Sequence, residues 1–210
     1  MTRFLARSSL LILAGTLATA SHAQDMAGDE IIVTAQRDNA TQITNGGDLG
    51  VFGNKAAEDL PFNLRAYDET LILNQQPQTL GDVLENDPTI RTSYGFGTAA
   101  ELFVIRGFPL FGDDIGLNGL YGITPRQLVA PELLQSVQVL NGASAFLNGA
   151  APGGTGLGGS VNLRLKRAGQ QDLNRVTASY EAKSRFGGGL DVSRRFGAGG
   201  EWGVRLNATY

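Results

Sequence analysis

The chain has 210 residues, 29 glycines, no cysteine, a single histidine (His22) and a net charge of -3. Lack of cysteine excludes a disulfide scaffold, thiolate chemistry and cysteine-based zinc sites. The acidic balance speaks against a nucleic-acid binder, which presents a basic face, and the length suits one ordinary domain with extensions rather than a complete large transporter.

Residues 1–23 read as a secretory leader. Arg3 and Arg7 form a basic start, Leu10 to Leu17 an apolar stretch, and Ser21-His22-Ala23 places small residues at the cleavage positions, so cleavage is expected before Gln24. The apolar run falls short of the roughly 20 residues that span a bilayer. Cleavage removes His22 as well as two cations. The remaining chain is more acidic and has neither histidine nor cysteine, so the common nucleophile–base pairs are unavailable. No enzyme activity, cofactor or metal site is expected.

Residues 24–59 divide into a β-prone segment and a linker. Asp29-Glu30-Ile31-Ile32-Val33-Thr34-Ala35 leads from acids into a β-branched run that suits an extended strand. From Gln36 to Leu49 the chain is polar and aperiodic, with Asn45-Gly46-Gly47, and reads as flexible. A β-prone segment tethered in this way suits strand addition to a partner.

A compact domain is expected over 60–168. Phe62 to Tyr67 alternates like a half-buried strand. Asp68 can cap a short helix to about Gln75 with Pro77 as its stop, and Thr79 opens a second helix with Leu80, Val83 and Leu84 on one face, ended by Asn86-Asp87-Pro88. Leu102 to Ile105 reads as a buried strand running into Arg106-Gly107-Phe108. Turns and a short strand follow over Asp113 to Gly122, then a helical turn at Pro131 and a strand at Val137 to Leu140. The pattern is mixed α/β with short elements and much loop.

From Gly153 the character changes: Ser160 to Lys166 already alternates polar and apolar residues, and residues 169–210 carry the pattern on. Arg175 to Glu181, Gly189 to Arg194 and Trp202 to Tyr210 alternate polar and apolar residues across short glycine-rich links. Such dyads are the sequence signature of transmembrane β-strands, although a soluble meander shares the period. Three strands cannot close a barrel in lipid, so the sequence reads as a fragment.

Two glycine patterns carry no chemistry. Gly154-Thr155-Gly156-Leu157-Gly158-Gly159 fits G-x-G-x-x-G, but an alternating strand follows where a dinucleotide site requires a helix. Gly149 to Thr155 has P-loop-like glycines and no lysine. The adjacent Asp113 and Asp114 lie in a glycine-rich turn and suit solvent or a ligand better than catalysis.

In order along the chain, these motifs resemble the TonB-dependent outer-membrane receptors, most closely the siderophore-receptor branch. Asp29 to Ala35 resembles the TonB box. Thr79-Leu80-Gly81-Asp82-Val83-Leu84 with Pro88 resembles the plug helix before its first apical loop, and Ile105-Arg106-Gly107-Phe108 the family's arginine-glycine-phenylalanine step. Leu117-Asn118-Gly119 resembles the next strand and turn. Leu134 to Asn162, including Gly142, Gly153 and Gly154, resembles the stretch that closes the plug. The resemblance implies an α+β plug domain with a mixed sheet and short helices, followed by the first antiparallel strands of a transmembrane β-barrel, here incomplete, from a barrel of roughly 22 strands.

The same resemblance implies uptake of a ferric siderophore across the outer membrane, with the plug gating the barrel. The energised inner-membrane TonB complex would pair with Asp29, Glu30, Ile31, Ile32, Val33, Thr34 and Ala35. A chelator that already wraps its iron needs aromatic and hydrogen-bonding groups on rigid loops, not protein metal ligands. Tyr94, Phe96, Phe111, Asp113, Tyr121 and Arg126 are the expected contacts, and Arg106 is expected in a buried hydrogen-bonded plug network. Saccharide or cobalamin cargo, or a freestanding periplasmic plug-like fragment, are the alternatives. Gln138, Asn141 and Ala143 depart from the family's acid, basic residue and proline, and the Thr155 to Gly159 stretch is longer than usual. These departures imply a weakened plug-to-barrel charge network.

Overall fold

A computed structural model describes residues 43–48, 54–56, 59–60, 62–94, 97–143, 145–181 and 185–210. The leader, the segment 29–35 and Phe96 lie outside the described residues.

The order of elements is β1 (Ile43–Asp48), β2 (Asn54–Ala56), β3 (Asn63–Asp68), α1 (Glu69–Gln75), α2 (Leu80–Leu84), β4 (Ile90–Thr92), β5 (Leu102–Ile105), β6 (Phe108–Phe111), β7 (Gly116–Leu117), β8 (Leu134–Asn141), α3 (Ala145–Asn148), β9 (Gly159–Leu165), β10 (Leu173–Glu181), β11 (Arg185–Phe196) and β12 (Trp202–Thr209). They form three sheets, ordered β2-β1-β3-β8-β9-β7, β4-β5-β6 and β10-β11-β12. The first is mixed, because β7 runs parallel to β9 while its other pairs are antiparallel.

The first two helices start where their side chains allow. The Asp68 carboxylate accepts from the Leu71 N–H at 2.9 Å, and α1 ends at Gln76, which adopts φ 49° one residue before Pro77. At α2, Thr79 and Asp82 close a reciprocal capping box. The apolar faces of these helices meet the sheets in one core. Tyr67, Ile72, Leu80, Val83, Leu84, Phe103, Ile105, Val137, Val139, Val161 and Leu163 are buried there. Burying an aliphatic or aromatic side chain fully is worth about 1.5–3 kcal/mol, so this core accounts for most of the fold's cohesion.

The polar stretch expected to be a flexible linker contributes two strands instead. β1 pairs with β3 in the register Ile43–Tyr67, Thr44–Ala66 and Asn45–Arg65, and β2 folds back onto β1. Strand pairing uses backbone groups, which polar and glycine residues carry as well as apolar ones do. The free edge of β3 supplies the partner, and no hydrophobic period announces it.

The glycine-rich run before β9 has a steric cause. The Gly142 N–H donates to the Gly158 carbonyl at 2.9 Å, and a Cβ at Gly158 would collide with the Ile105 carbonyl. These glycines bring the end of β8 against the end of β5, and no phosphate-binding loop is formed.

β10, β11 and β12 form an antiparallel sheet whose two faces differ sharply. Cross-strand pairs Val176–Leu190, Tyr180–Phe186, Val192–Leu206 and Phe196–Trp202 put apolar side chains on one face. Several of them are very exposed, at 81% for Val176, 75% for Trp202 and 67% for Tyr180. Asp191 and Ser193 lie buried on the other face, against the rest of the chain.

Candidate functional site

The loop between β4 and β5 runs beside the segment after residue 120. The Glu101 N–H donates to the Arg126 carbonyl at 3.4 Å, the Leu128 N–H to the Ala99 carbonyl at 3.2 Å, and Ala100 bridges Gln127. β6 then delivers Phe111 and Asp113 to the same place. The Arg126 guanidinium donates from Nε to Asp113 Oδ1 at 3.0 Å and from Nη2 to Oδ2 at 2.9 Å, and lies 4.7 Å from the centre of the Phe111 ring. The Asp113 carboxylate, by hydrogen bond and then by charge, holds the Arg126 pKa above its ordinary value, and Tyr94 adds to that field. Tyr94 is 41% exposed. Three of the six sequence-predicted contacts, Phe111, Asp113 and Arg126, therefore form one group.

Tyr121 is half-buried and lines a crevice of about 130 Å³ with Leu110, Asp114, Ala151 and Thr155. The two adjacent carboxylates also differ in role. Asp113 faces outward, whereas Asp114 is 2% exposed and accepts from the Gly153 N–H at 2.6 Å, from the Thr155 N–H at 3.0 Å and from the Thr155 hydroxyl. Burial works to raise the Asp114 pKa, but these donors outweigh it and hold the carboxyl below its ordinary value.

Arg106 is not buried, contrary to the sequence expectation. It is exposed at the tight turn between β5 and β6, where it adopts φ 52° and Gly107 φ 89°, and its guanidinium lies beside Gly142. A residue at the apex of a two-residue turn points out of its sheet, which the apolar run before it does not reveal. Phe108 is likewise 46% exposed.

A second cluster was not foreseen. Glu69, at the start of α1, meets Arg175 of β10 at 2.7 Å, Arg205 of β12 at 3.0 Å and Lys166 at 3.4 Å. Asp191 of β11 meets Arg205 at 2.6 Å, Lys166 at 3.4 Å and Arg175 at 3.7 Å. The Lys166 side chain is only 3% exposed. Burial works to raise the Glu69 pKa, yet the Arg175 hydrogen bond and the Lys166 and Arg205 charges together hold it below the usual range. This network fastens the core domain to the three-stranded sheet.

Gln138 and Asn141, two of the departures noted above, make bonds within the core domain. Gln138 accepts from Asn162 at 3.0 Å within the sheet. Asn141 donates to the buried Asp87 at 3.2 Å and accepts from Thr89 at 2.8 Å. Only the polar–apolar alternation on the strands hinted at a polar inner face, and that alternation does not name partners.

Comparison with known proteins agrees with this architecture. Residues 56–155 match the family model of the TonB-dependent Receptor Plug Domain. The ferrichrome receptor FcuA of Yersinia enterocolitica is 43% identical over 169 residues, which are 80% of this chain and 22% of that protein. The crystal structure of BauA, the ferric preacinetobactin receptor of Acinetobacter baumannii, superposes with a TM-score of 0.77 at 39% identity, over 81% of this chain and 26% of that one. The pyoverdine outer membrane receptor FpvA of Pseudomonas aeruginosa shares the fold at a TM-score of 0.69 and 20% identity, over 81% of this chain and 25% of that one. The chain thus spans about a quarter of the length of these relatives, all of them receptors. Its core domain is a plug, and the chain belongs to the TonB-dependent receptor family.

Proposed function

We propose that this chain forms the plug and first wall strands of an outer-membrane receptor that takes up a ferric siderophore. The observation that carries the reading is the convergence of Phe111, Asp113 and Arg126 on one exposed face of the plug. Aromatic surface and fixed hydrogen-bonding groups on short loops are what a chelate with its iron already enclosed requires. A ferrichrome receptor and a ferric preacinetobactin receptor among the relatives favour this cargo over a saccharide or cobalamin. The apolar outer face of β10, β11 and β12, with aromatic pairs at both ends, favours a place in the outer membrane, reached through the leader 1–23.

Coupling runs through Asp29 to Ala35. Ile31, Ile32 and Val33 pair as a strand with the TonB protein of the inner-membrane complex, whose pull displaces part of the plug. Proline at Ile32 removes a backbone donor and blocks such pairing. In cells supplied with a radiolabelled ferric siderophore, Ile32→Pro should bind the complex at the surface and fail to accumulate it. Wild-type accumulation by that variant would overturn the coupling, and failure of the unaltered receptor to bind any ferric siderophore would overturn the reading as a whole.

A further inference from the structure

Within the group formed by Phe111, Asp113 and Arg126, Arg126 is the sole cation. Its guanidinium is committed twice, to both oxygens of Asp113 and to the face of Phe111. Both charged side chains stay in contact with solvent, 53% exposed for Arg126 and 40% for Asp113, so the pair is on the surface a ligand would touch. The other cations nearby point elsewhere. Arg91 turns back to donate to the Pro88 and Ile90 carbonyls. Arg106 sits at the far end of the β5–β6 hairpin, roughly 10 Å along the strands from Phe111. Asp114, next in sequence to Asp113, is turned inward and occupied by Gly153 and Thr155.

From this geometry, and resting on the siderophore reading above, we infer that Asp113 is a specificity-determining residue: by occupying Arg126 it makes this face of the plug charge-neutral and selects an uncharged ferric chelate over a polyanionic one. In a tris-hydroxamate complex three singly charged groups cancel the iron(III) charge, and the outer surface offers amide and methylene groups. Such a ligand lies against Phe111 without calling for a free cation. A tris-catecholate complex keeps three negative charges. Placing it here would press it against the Asp113 carboxylate, with the one local guanidinium already taken. Like-charge juxtaposition of this kind is how a site rejects the wrong partner as well as accepting the right one. A carboxylate serves this purpose better than a neutral residue, because it both silences the arginine and repels the anion.

The test uses the receptor purified from outer membranes and two iron-labelled probes of similar size, a neutral hexadentate tris-hydroxamate ferric complex and a trianionic hexadentate tris-catecholate one. The quantity read is the ratio of the two dissociation constants, which is insensitive to partial loss of folded protein. The unaltered receptor should favour the neutral probe. Asp113→Asn keeps the size of the side chain and releases the guanidinium, and should shift the ratio toward the anionic probe about tenfold, the factor that a 1.4 kcal/mol change produces. Adding Arg126→Gln to that variant should take the shift away. An unaltered ratio in Asp113→Asn, or a receptor that already prefers the anionic probe, would overturn the inference and leave the siderophore reading standing. Binding of neither probe would overturn both.

Discussion

The carboxylate of Glu69 stands 2.7 Å from the guanidinium of Arg175, although the two residues are 106 positions apart. One belongs to the first turn of the first plug helix and the other to the first wall strand, so their contact measures how the plug is held. Arg205 and Lys166 share the same carboxylate oxygen. Glu69→Gln removes the charge and leaves three cations facing Asp191 alone. It should loosen the plug by about 2 kcal/mol, between the limits for exposed and buried pairs, read as earlier urea release of a fluorophore attached to the plug. Because the folded pKa of Glu69 lies below its ordinary value, its contribution is complete above the ordinary glutamate range. It declines as the pH falls through the lower, folded value. The variant should therefore lose Glu69's share of the acid dependence of plug release, while the share of Asp191 in the same network remains.

Asp114 holds the loop that closes the plug. Asp114→Ala would orphan the Gly153 and Thr155 N–H groups and the Thr155 hydroxyl together, at a cost of about 2–4 kcal/mol. Hydrogen exchange at residues 153 to 155 should accelerate while β8 and β9 stay protected. Gly153→Ala should produce the same local effect by another route, because a Cβ there would stand 2.6 Å from Asp114 Oδ2. Faster exchange spread evenly through the sheet would show that the contact is not local to the loop. The folded Asp114 pKa is lowered, so this anchor is present at neutral pH and fades in acid as the pH passes below the folded value.

The elements legible in the sequence are those whose cause is local. Asp68, Thr79 and Asp82 announce helix starts because a cap lies within three residues of its donor. The run Leu102 to Ile105 announces a strand with one fully buried face, and Val137 to Leu140 one buried on both faces, where the need for alternation falls away. β1 and β2 stayed hidden because backbone pairing leaves no mark on side-chain pattern. The site divides in the same way. Loop aromatics and acids were visible as candidates, but the closure of Arg126 on Asp113 depends on where the chain returns thirteen positions later. The Glu69 network lies beyond local reading altogether, since Arg205 is 136 residues away.

Glu101 offers a test with the opposite sign. It is 5% exposed and accepts from the Gly81 N–H at 2.8 Å. Burial raises its pKa and the neighbouring Asp82 charge adds to that, while the Gly81 and Thr79 donors oppose the shift. A carboxyl with a raised folded pKa contributes most below its unfolded value, and that contribution is lost as the pH rises through the folded value. Glu101→Gln keeps an acceptor for Gly81 without the buried charge, and should be as stable as the unaltered protein or more so at pH 7. Glu101→Ala should be destabilised by about 1–3 kcal/mol, because Gly81 is left unpaired. Denaturant unfolding at pH 5 and pH 8 separates the two. A Gln variant less stable at the higher pH would show that the ionised carboxylate strengthens the anchor.

The outer face of β10 to β12 is the last point of exposure to test. Val176 lies in the middle of β10, paired with Leu190, and is 81% exposed, whereas the adjacent Arg175 and Thr177 turn toward the plug. If this face meets lipid, Val176→Arg should cost about 2–4 kcal/mol near the bilayer midplane. The same substitution at Thr177, on the inner face, should leave membrane assembly intact and alter only the space beside α1. Heat-modifiable migration of the receptor from outer membranes reads assembly directly. Loss of the folded band for Val176→Arg but not for Thr177→Arg assigns the two faces, and equal tolerance at both positions would mean that β10 is not part of a lipid-facing wall.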